Sequence, residues 1–441
     1  MAANMLLSLD DDPPPSGATL EAIKYHLYDR LAQQLDLAEV RKLPEETRRR
    51  ELRQVAAHVL AAEAAALAPE GREQVLDEVL DELVGMGPLD KLLRVPDGGD
   101  ILVNGPHDVW IEKNGRLEPA GVSFRDDDHL TQVLDRMVAR VGRRLDESSP
   151  MVDARLPDGS RLNAIIPPLS LKGPALSIRR FSKAPLTFDR LVELGALPRE
   201  VAYVLQAAVQ GKLSIVVSGG TGSGKTTLLN ALSSFVLDTE RLITIEDAAE
   251  LRLQQRHVLP LETRPPNLDG RNEVTMRDLV RNALRMRPDR ILVGECRGPE
   301  ALDMLQAMNT GHEGSMTTLH ANTPRDALTR LETMLMMAGL DMPLKALRRQ
   351  IASAVNLIVQ ADRLSGGVRR VTAVTELVGM EGDVIVTQDI FLYQQQGVDA
   401  EGRARGRFVA TGVRPAFAER LREAAIELPV SLFAQRVLMK A

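Results

Sequence analysis

Cysteine is nearly absent from this chain: Cys296 stands alone. An intramolecular disulfide and a cysteine-cluster zinc site are both excluded, and a single thiol fits a reducing cytosol. Aromatic residues make up only 3% of the sequence, and Trp110 is the one tryptophan, so there is little stacking surface for a single strand of nucleic acid. No apolar run approaches the roughly 18 residues that a membrane-spanning helix needs. The stretch from Met1 to Gly17 is acidic and rich in proline, without a basic n-region, and so does not resemble a signal peptide. Charge of one sign is also missing: 55 basic against 61 acidic side chains leave a net charge of −6, which argues against binding nucleic acid through bulk charge. Work at a membrane is therefore expected to go through a partner rather than by direct insertion.

What the chain does have is enough apolar residue, 44% of 441 positions, to build the cores of two or three domains. It also has one stretch that organises the rest, LSIVVSGGTGSGKTTLLN from Leu213 to Asn230. Leu213 to Ser218 are apolar or small and suit a buried strand. Gly219-Gly220-Thr221-Gly222-Ser223-Gly224-Lys225-Thr226 fits G-x-x-x-x-G-K-[ST], and Thr227 to Phe235 reads as the opening of a helix. Strand, loop and helix in that order are the context a phosphate-binding loop requires. The glycines let the backbone wrap a phosphate with its N–H groups turned inward, and the helix start adds partial positive charge beneath the anion. Residues Gly220 to Thr227 are thus candidates for cradling a nucleoside triphosphate, Lys225 for reaching the β- and γ-phosphates, and the Thr226 hydroxyl for holding Mg²⁺.

Taken in order, residues 1–17 read as a disordered tail. Leu20, Ile23, Leu27, Leu31 and Leu35 recur at helical spacing. Pro44 opens a second helix that runs to about Ala68, and a third extends from Gly71 to Val84, where Gly85, Gly87 and Pro88 stop it. These segments predict a small bundle over 18–87. From 88 to 183 the pattern changes to short strands, Asp100–Val103, Asp108–Glu112, Arg116–Glu118, Val152–Leu156, Arg161–Ile166 and Ala175–Arg179, around a helix from about Asp128 to Val141. Asn114-Gly115 and Pro157-Asp158-Gly159-Ser160 supply hairpin turns, so this is a small mixed α/β domain with an antiparallel sheet. Residues 184–187 read as a linker, and 188–441 as the nucleotide domain with a β-rich extension from Leu357 to Thr411 and a closing helix from Ala416 to Ala425.

Three apolar runs after the loop end alike. Arg241–Ile245 is followed by Glu246-Asp247, Ile291–Val293 by Gly294-Glu295, and Ser315–Leu319 by His320. In an open parallel sheet, ligands sit at the carboxyl ends of the strands, so these ionisable groups are expected on the same edge as the loop. Hydrolysis of a γ-phosphate needs a metal ion, an oriented water and positive charge on the equatorial oxygens. Glu295 is the first candidate to activate the water, with Glu246 and Asp247 sharing metal and water work and His320 sensing the γ-phosphate. The run Arg290-Ile-Leu-Val-Gly-Glu295 is a degenerate Walker B segment, lacking the usual aspartate. His312 and His320 are not an i, i+4 pair, and no HExxH or cysteine cluster accompanies them, so zinc is not supported. Arg161 and Arg179 lie near strands of the preceding domain, where a lone arginine is ordinarily solvated, although arginine fingers can cross a domain or subunit boundary.

The segments ITIEDAAEL (Ile243–Leu251), RMRPDRILVGECRGPEA (Arg285–Ala301) and MNTGHEGSMTTLHANTPRDALTRLETM (Met308–Met334) resemble the Asp box, Walker B and His box of the secretion ATPase superfamily, which powers type II and type IV secretion and type IV pili. MVDARLPDGSRLNAIIPPLSLKGPALSIRRF (Met151–Phe181), ETRPPNLDG (Glu262–Gly270) and TELVGMEGDVIVTQDIF (Thr375–Phe391) resemble one branch more closely, the Tad or Flp pilus assembly ATPases. The resemblance spans about Gly87 to Ile426. It implies an α/β fold, a RecA-like P-loop ATPase domain preceded by a small mixed α/β (PAS-like) domain and an N-terminal helical bundle. It also implies a cytoplasmic homohexamer that hydrolyses ATP with Mg²⁺ and drives an inner-membrane platform protein to extend a pilus, retract it, or both. In relatives, arginines of the N-terminal domain reach the nucleotide, and Arg161 and Arg179 align with that role. Arg297 belongs to the family's Walker B segment and is a candidate bridge between subunits. A type IV secretion ATPase is the nearest alternative. A DNA-translocating RecA-like enzyme would need a basic channel, and a scaffold would bind ATP without turning it over.

Overall fold

The computed structural model describes residues 19–35, 40, 43–63, 67–95, 99–113, 116–180, 186–266, 270–339 and 342–440. The tail expected over 1–17, the Asn114-Gly115 turn and half of the linker expected over 184–187 lie outside them. The chain divides into two units, Met1–Phe181 and Ser182–Ala441.

In the first unit, helices α1 (Leu20–Gln34), α2 (Glu45–Glu63) and α3 (Pro69–Val84) pack through Leu27, Leu31, Val59, Val79 and Leu80. The Thr19 hydroxyl caps α1 by accepting the Ala22 N–H. The third helix starts at Pro69, two residues ahead of the Gly71 that the apolar spacing predicts. A proline at the first helical position lacks only an N–H that would have no intrahelical partner. A short helix that periodicity does not reveal, α4 (Leu89–Leu93), leads into an antiparallel sheet ordered β3-β2-β1-β6-β5-β4. Its strands are β1 (Ile101–Val103), β2 (Val109–Lys113), β3 (Arg116–Pro119), β4 (Met151–Arg155), β5 (Arg161–Ile165) and β6 (Ala175–Arg179). Alternation sends Ile101, Ile111, Leu162 and Ile178 to one face, where Leu130, Val133, Leu134 and Met137 of α5 (Asp127–Arg140) cover them. The His129 ring ties this helix to the bundle. Its Nδ1 accepts the Arg125 N–H at 3.1 Å, so the proton sits on Nε2 and is donated to buried Glu82 at 2.7 Å.

The second unit opens with α6 (Phe188–Glu193) and α7 (Arg199–Gln210). Strands β7 (Ile215–Gly219), β8 (Leu242–Glu246), β9 (Val258–Glu262), β10 (Arg290–Val293), β11 (Met316–Leu319) and β12 (Leu357–Arg363) then run parallel in the order β12-β7-β11-β10-β8-β9. Both faces are covered. Ile215 and Val217 point toward α7 and α8 (Lys225–Ser233), while Val216, Ile243 and Ile291 point toward α9 (Met276–Ala283), α10 (Glu300–Asn309), α11 (Pro324–Met337) and α12 (Leu344–Ala354). Continuous apolar strands are the signature of such a doubly covered sheet.

The β-rich extension is not a separate layer. Strands β13 (Arg369–Glu381), β14 (Val384–Val398), β15 (Ala404–Ala410) and β16 (Arg436–Lys440) continue the same sheet antiparallel from β12, with α13 (Phe417–Glu423) beside them. The sequence pattern picks out only Val371–Thr375 and Val384–Gln388 within β13 and β14, which are 13 and 15 residues long. Bulges between Val374 and Thr375 and between Leu377 and Gly379 shift the alternation, so a short window loses the strand.

Arg290 pins the start of the parallel layer. Its guanidinium is 0% exposed and bonds both oxygens of Glu240, at 2.8 and 2.6 Å, and the carbonyl oxygens of Val209 at 2.7 Å and Gly314 at 3.4 Å. One side chain thereby fixes the end of α7 and the approaches to β8 and β11. Among the described residues, no helix is long and apolar enough to cross a membrane.

Candidate functional site

Because β7, β11, β10 and β8 are parallel neighbours, their carboxyl ends share one edge. That edge carries the 220–224 loop after β7, His320 after β11, Glu295 after β10, and Glu246 and Asp247 at the end of β8. The shared placement expected from three similar strand ends is what the sheet order produces.

The loop turns into α8 at Gly224, whose φ of +95° is open to glycine and strained for other residues. Lys225 is the first residue of the helix, and its Nζ donates to the Gly220 carbonyl oxygen at 2.9 Å. The Ser223 N–H turns to the same oxygen at 3.4 Å. Gly220, Gly222, Thr226 and Thr227 are half-buried and Thr221 is exposed at the loop's crest. Ser223 is 3% exposed, and its Oγ finds no protein partner among the described residues. Backbone donors at a helix start, an ammonium and an orphaned hydroxyl are the chemistry that a phosphate fits. No group of three or more His, Cys, Asp or Glu side chains able to hold a metal occurs among the described residues. A Mg²⁺ ion is usually held by one or two protein oxygens plus substrate phosphates, and the Thr226 hydroxyl at the start of α8 is a group of that kind.

The acids at this edge are used differently from one another. Glu295 is 24% exposed on its side chain and receives the Arg297 Nη2 donor at 2.7 Å, while Arg297 Nη1 reaches the exposed Asp247 at 3.4 Å. Arg297 therefore bridges the two acids within one chain. Glu246 is buried, and its carboxylate accepts the backbone N–H groups of Glu250 and Leu251, each at 3.0 Å. Its geometry is that of a cap on the following loop, whose sequence signal equals that of an acid at a strand end. His320 is exposed at the edge, and His312 lies on the approach to β11, where its carbonyl accepts the Ser315 hydroxyl at 2.7 Å. Arg161 and Arg179 face each other directly on β5 and β6 in the first unit. Arg161 grips Asp153 through two hydrogen bonds of 3.1 and 2.6 Å. Asp100 is raised by burial and partly relieved by the Arg179 charge.

The sequence pattern does not place the arginines of the β12–β13 hairpin at the loop. Arg369 Nε donates to the Gly222 carbonyl oxygen at 2.8 Å, and Arg363 stands opposite Arg369 in the hairpin register. The same hairpin helps wall a cavity of about 380 Å³ beside the loop, lined by Leu191, Leu197, Gly224, Thr227, Val368 and Val371 among others. The available signal was two arginines flanking a Gly-Gly turn, which points equally to any solvated hairpin.

Residues 82–425 match the family described as Type II/IV secretion system protein. The chain belongs to that family. A Mycobacterium tuberculosis protein provisionally named for conjugal transfer is 40% identical over 309 residues, covering 69% of this chain and 87% of its own. The type IV secretion system protein PtlH of Bordetella pertussis is 36% identical over 304 residues, covering 62% of this chain and 88% of its own. Among solved structures, the VirB11 ATPase of the Brucella suis type IV secretion system, crystallised with sulphate, is 30% identical over 65% of this chain and 94% of its own, with a TM-score of 0.36. The assignment to the type II/IV secretion family rests on the family match and the sequence relatives, and it agrees with the superfamily that the Asp-box, Walker B and His-box segments resemble.

Proposed function

We propose that this type II/IV secretion family chain is a hexameric ATP-hydrolysing motor for a Tad/Flp-type pilus, working from the cytoplasmic face on an inner-membrane platform protein. The observation that carries the hydrolytic part is the common edge of the parallel strands. There the loop with Lys225 and Thr226 shares one rim with Glu295, and Glu295 is oriented by Arg297. In this reading the loop N–H groups and Lys225 hold the phosphates, Thr226 holds Mg²⁺, Glu295 orients the attacking water and His320 reports the γ-phosphate. The cavity beside Thr227 offers an apolar seat for the nucleoside. Arg161 and Arg179, which align with nucleotide-reaching arginines of relatives, are the further candidates for adding positive charge to the phosphates. The pilus branch is supported by the Met151–Phe181, Glu262–Gly270 and Thr375–Phe391 segments.

A second reading has its own support. Relatives named for conjugal transfer and type IV secretion favour a secretion ATPase. The deciding experiment has two parts. Purified protein is assayed for ATP hydrolysis and oligomer mass beside Lys225→Ala and Glu295→Gln, with and without DNA. Turnover by a hexamer, lost in both variants and indifferent to DNA, is the expected outcome; strong DNA stimulation would indicate a translocase, and binding without turnover a scaffold. The gene is then deleted from its host. Loss of surface pili supports the pilus motor, whereas intact pili with lost export of protein or DNA supports the secretion reading.

A further inference from the structure

We infer that Arg363 and Arg369 form a second cationic wall of the phosphate loop, with Arg363 binding phosphate and Arg369 acting as a positioning residue. The inference rests on the nucleotide-binding reading above and deepens it.

The two arginines are direct partners across the β12–β13 hairpin, joined by a tight turn at Ser365–Gly367. Both side chains are exposed and lie over the loop's glycines. A Cβ placed on Gly222 would stand 3.5 Å from Arg363 Nη1, and one placed on Gly224 would stand 3.6 Å from Arg369 Cδ. The contact with consequence is the 2.8 Å bond from Arg369 Nε to the Gly222 carbonyl oxygen. A trans peptide holds its C=O and the following N–H in opposite directions. Fixing the Gly222 oxygen on the Arg369 side therefore turns the Ser223 N–H to the other side. That is the side where Lys225 Nζ also points, since both donate to Gly220 O. Arg369 thus orients a donor that a phosphate-binding loop must present inward.

Charge supports the same assignment. Guanidinium groups stay protonated at any working pH, so Arg363, Arg369 and Lys225 put three cations around one short loop. A polyanion bound at the loop is attracted by all three, and the planar fork of a guanidinium such as that of Arg363, whose Nη1 borders Gly222, matches phosphate geometry.

The full chain is titrated with a fluorescent Mg·ADP analogue and with adenosine, and its steady-state ATP hydrolysis is measured. Arg363→Ala and Arg369→Ala should each weaken diphosphate binding roughly tenfold, the size expected for one charge-assisted hydrogen bond. Adenosine binding should stay within about twofold, because it carries no phosphate. KM for ATP should rise with the loss in affinity while kcat changes far less, and Arg369→Lys, which keeps the charge and a donor, should recover most of the loss. Arg405→Ala, an exposed arginine farther along the extension, should change nothing. Unchanged diphosphate affinity in both alanine variants overturns the inference. So does an equal loss for adenosine and diphosphate, which marks a collapsed cavity. A variant that fails to fold is replaced by the glutamine substitution under the same criteria. A parent protein that binds no nucleotide sinks the underlying reading, and this inference with it.

Discussion

Replacing Glu240 by alanine should destabilise the second unit far more than an ordinary ion-pair deletion. Arg290 is 0% exposed, and two of its hydrogen bonds, at 2.6 and 2.8 Å, go to the Glu240 carboxylate. Two charge-assisted bonds at about 1.5–3 kcal/mol each set the scale, and removing one member of a buried pair typically costs about 3–5 kcal/mol. The guanidinium keeps Val209 O at 2.7 Å and Gly314 O at 3.4 Å, so the lower half of that range is expected. Lys212, 3.4 Å from the same carboxylate, also loses its partner but is half-exposed and adds little. The paired replacement Glu240→Leu with Arg290→Met should cost about 1 kcal/mol or less, because no charge is stranded. Val209 O would still accept the Lys212 N–H at 3.1 Å. Burial pushes the Glu240 carboxyl up, and Arg290 together with Lys212 more than reverses this, leaving it below its ordinary 4.5. A depressed carboxylate contributes stability that is complete above the unfolded value and lost as pH falls through the folded one. The Glu240→Ala penalty should therefore shrink only below about pH 4.5. Urea unfolding followed by hydrogen exchange of the β10 segment reads this unit. Trp110 lies in the other unit, and its fluorescence should be unmoved. A single-variant penalty under about 1 kcal/mol, or a paired variant as damaged as the single one, would refute the reasoning.

Other outcomes can be checked directly. Burial pushes the Cys296 thiol up to about 12, so it should resist alkylation at neutral pH and become reactive only on unfolding, as followed by mass spectrometry. Gly219→Ala would drive its Cβ into the Ala361 carbonyl oxygen and the Ser223 hydroxyl, and should cut nucleotide affinity at least tenfold while far-UV circular dichroism stays near the parent's. Glu376 accepts the N–H groups of Ala416 and Phe417 at 2.9 and 2.7 Å, so Glu376→Ala should loosen α13 by about 1–3 kcal/mol, visible as faster hydrogen exchange over 417–423.

The amino-acid sequence alone was sufficient for whatever depends on neighbours along the chain. The glycine spacing from Gly219 to Thr226 encodes its own turn, and Gly224 supplies a left-handed residue at the start of α8. The apolar runs before Glu246, Glu295 and His320 become strands because buried parallel strands are uniformly apolar, and that pattern is local. The superfamily was legible too, since its motifs are contiguous. Long-range partners were not. Arg369 meets Gly222 across 147 positions, and Arg290 meets Glu240 across 50, and no periodicity distinguishes such arginines from solvated ones. Glu246 and Glu295 look alike as acids after strands. The order of the sheet and the path of the following loop turn one toward backbone N–H groups and leave the other at the rim with Arg297. The long bulged strands β13 and β14 were fragmentary in the sequence because their alternation slips at each bulge, and pairing with neighbours, rather than intrinsic propensity, holds them extended. Backbone turns follow from φ and ψ preferences within a few residues. Which side chain faces which is decided by strand order and packing, which no local pattern carries.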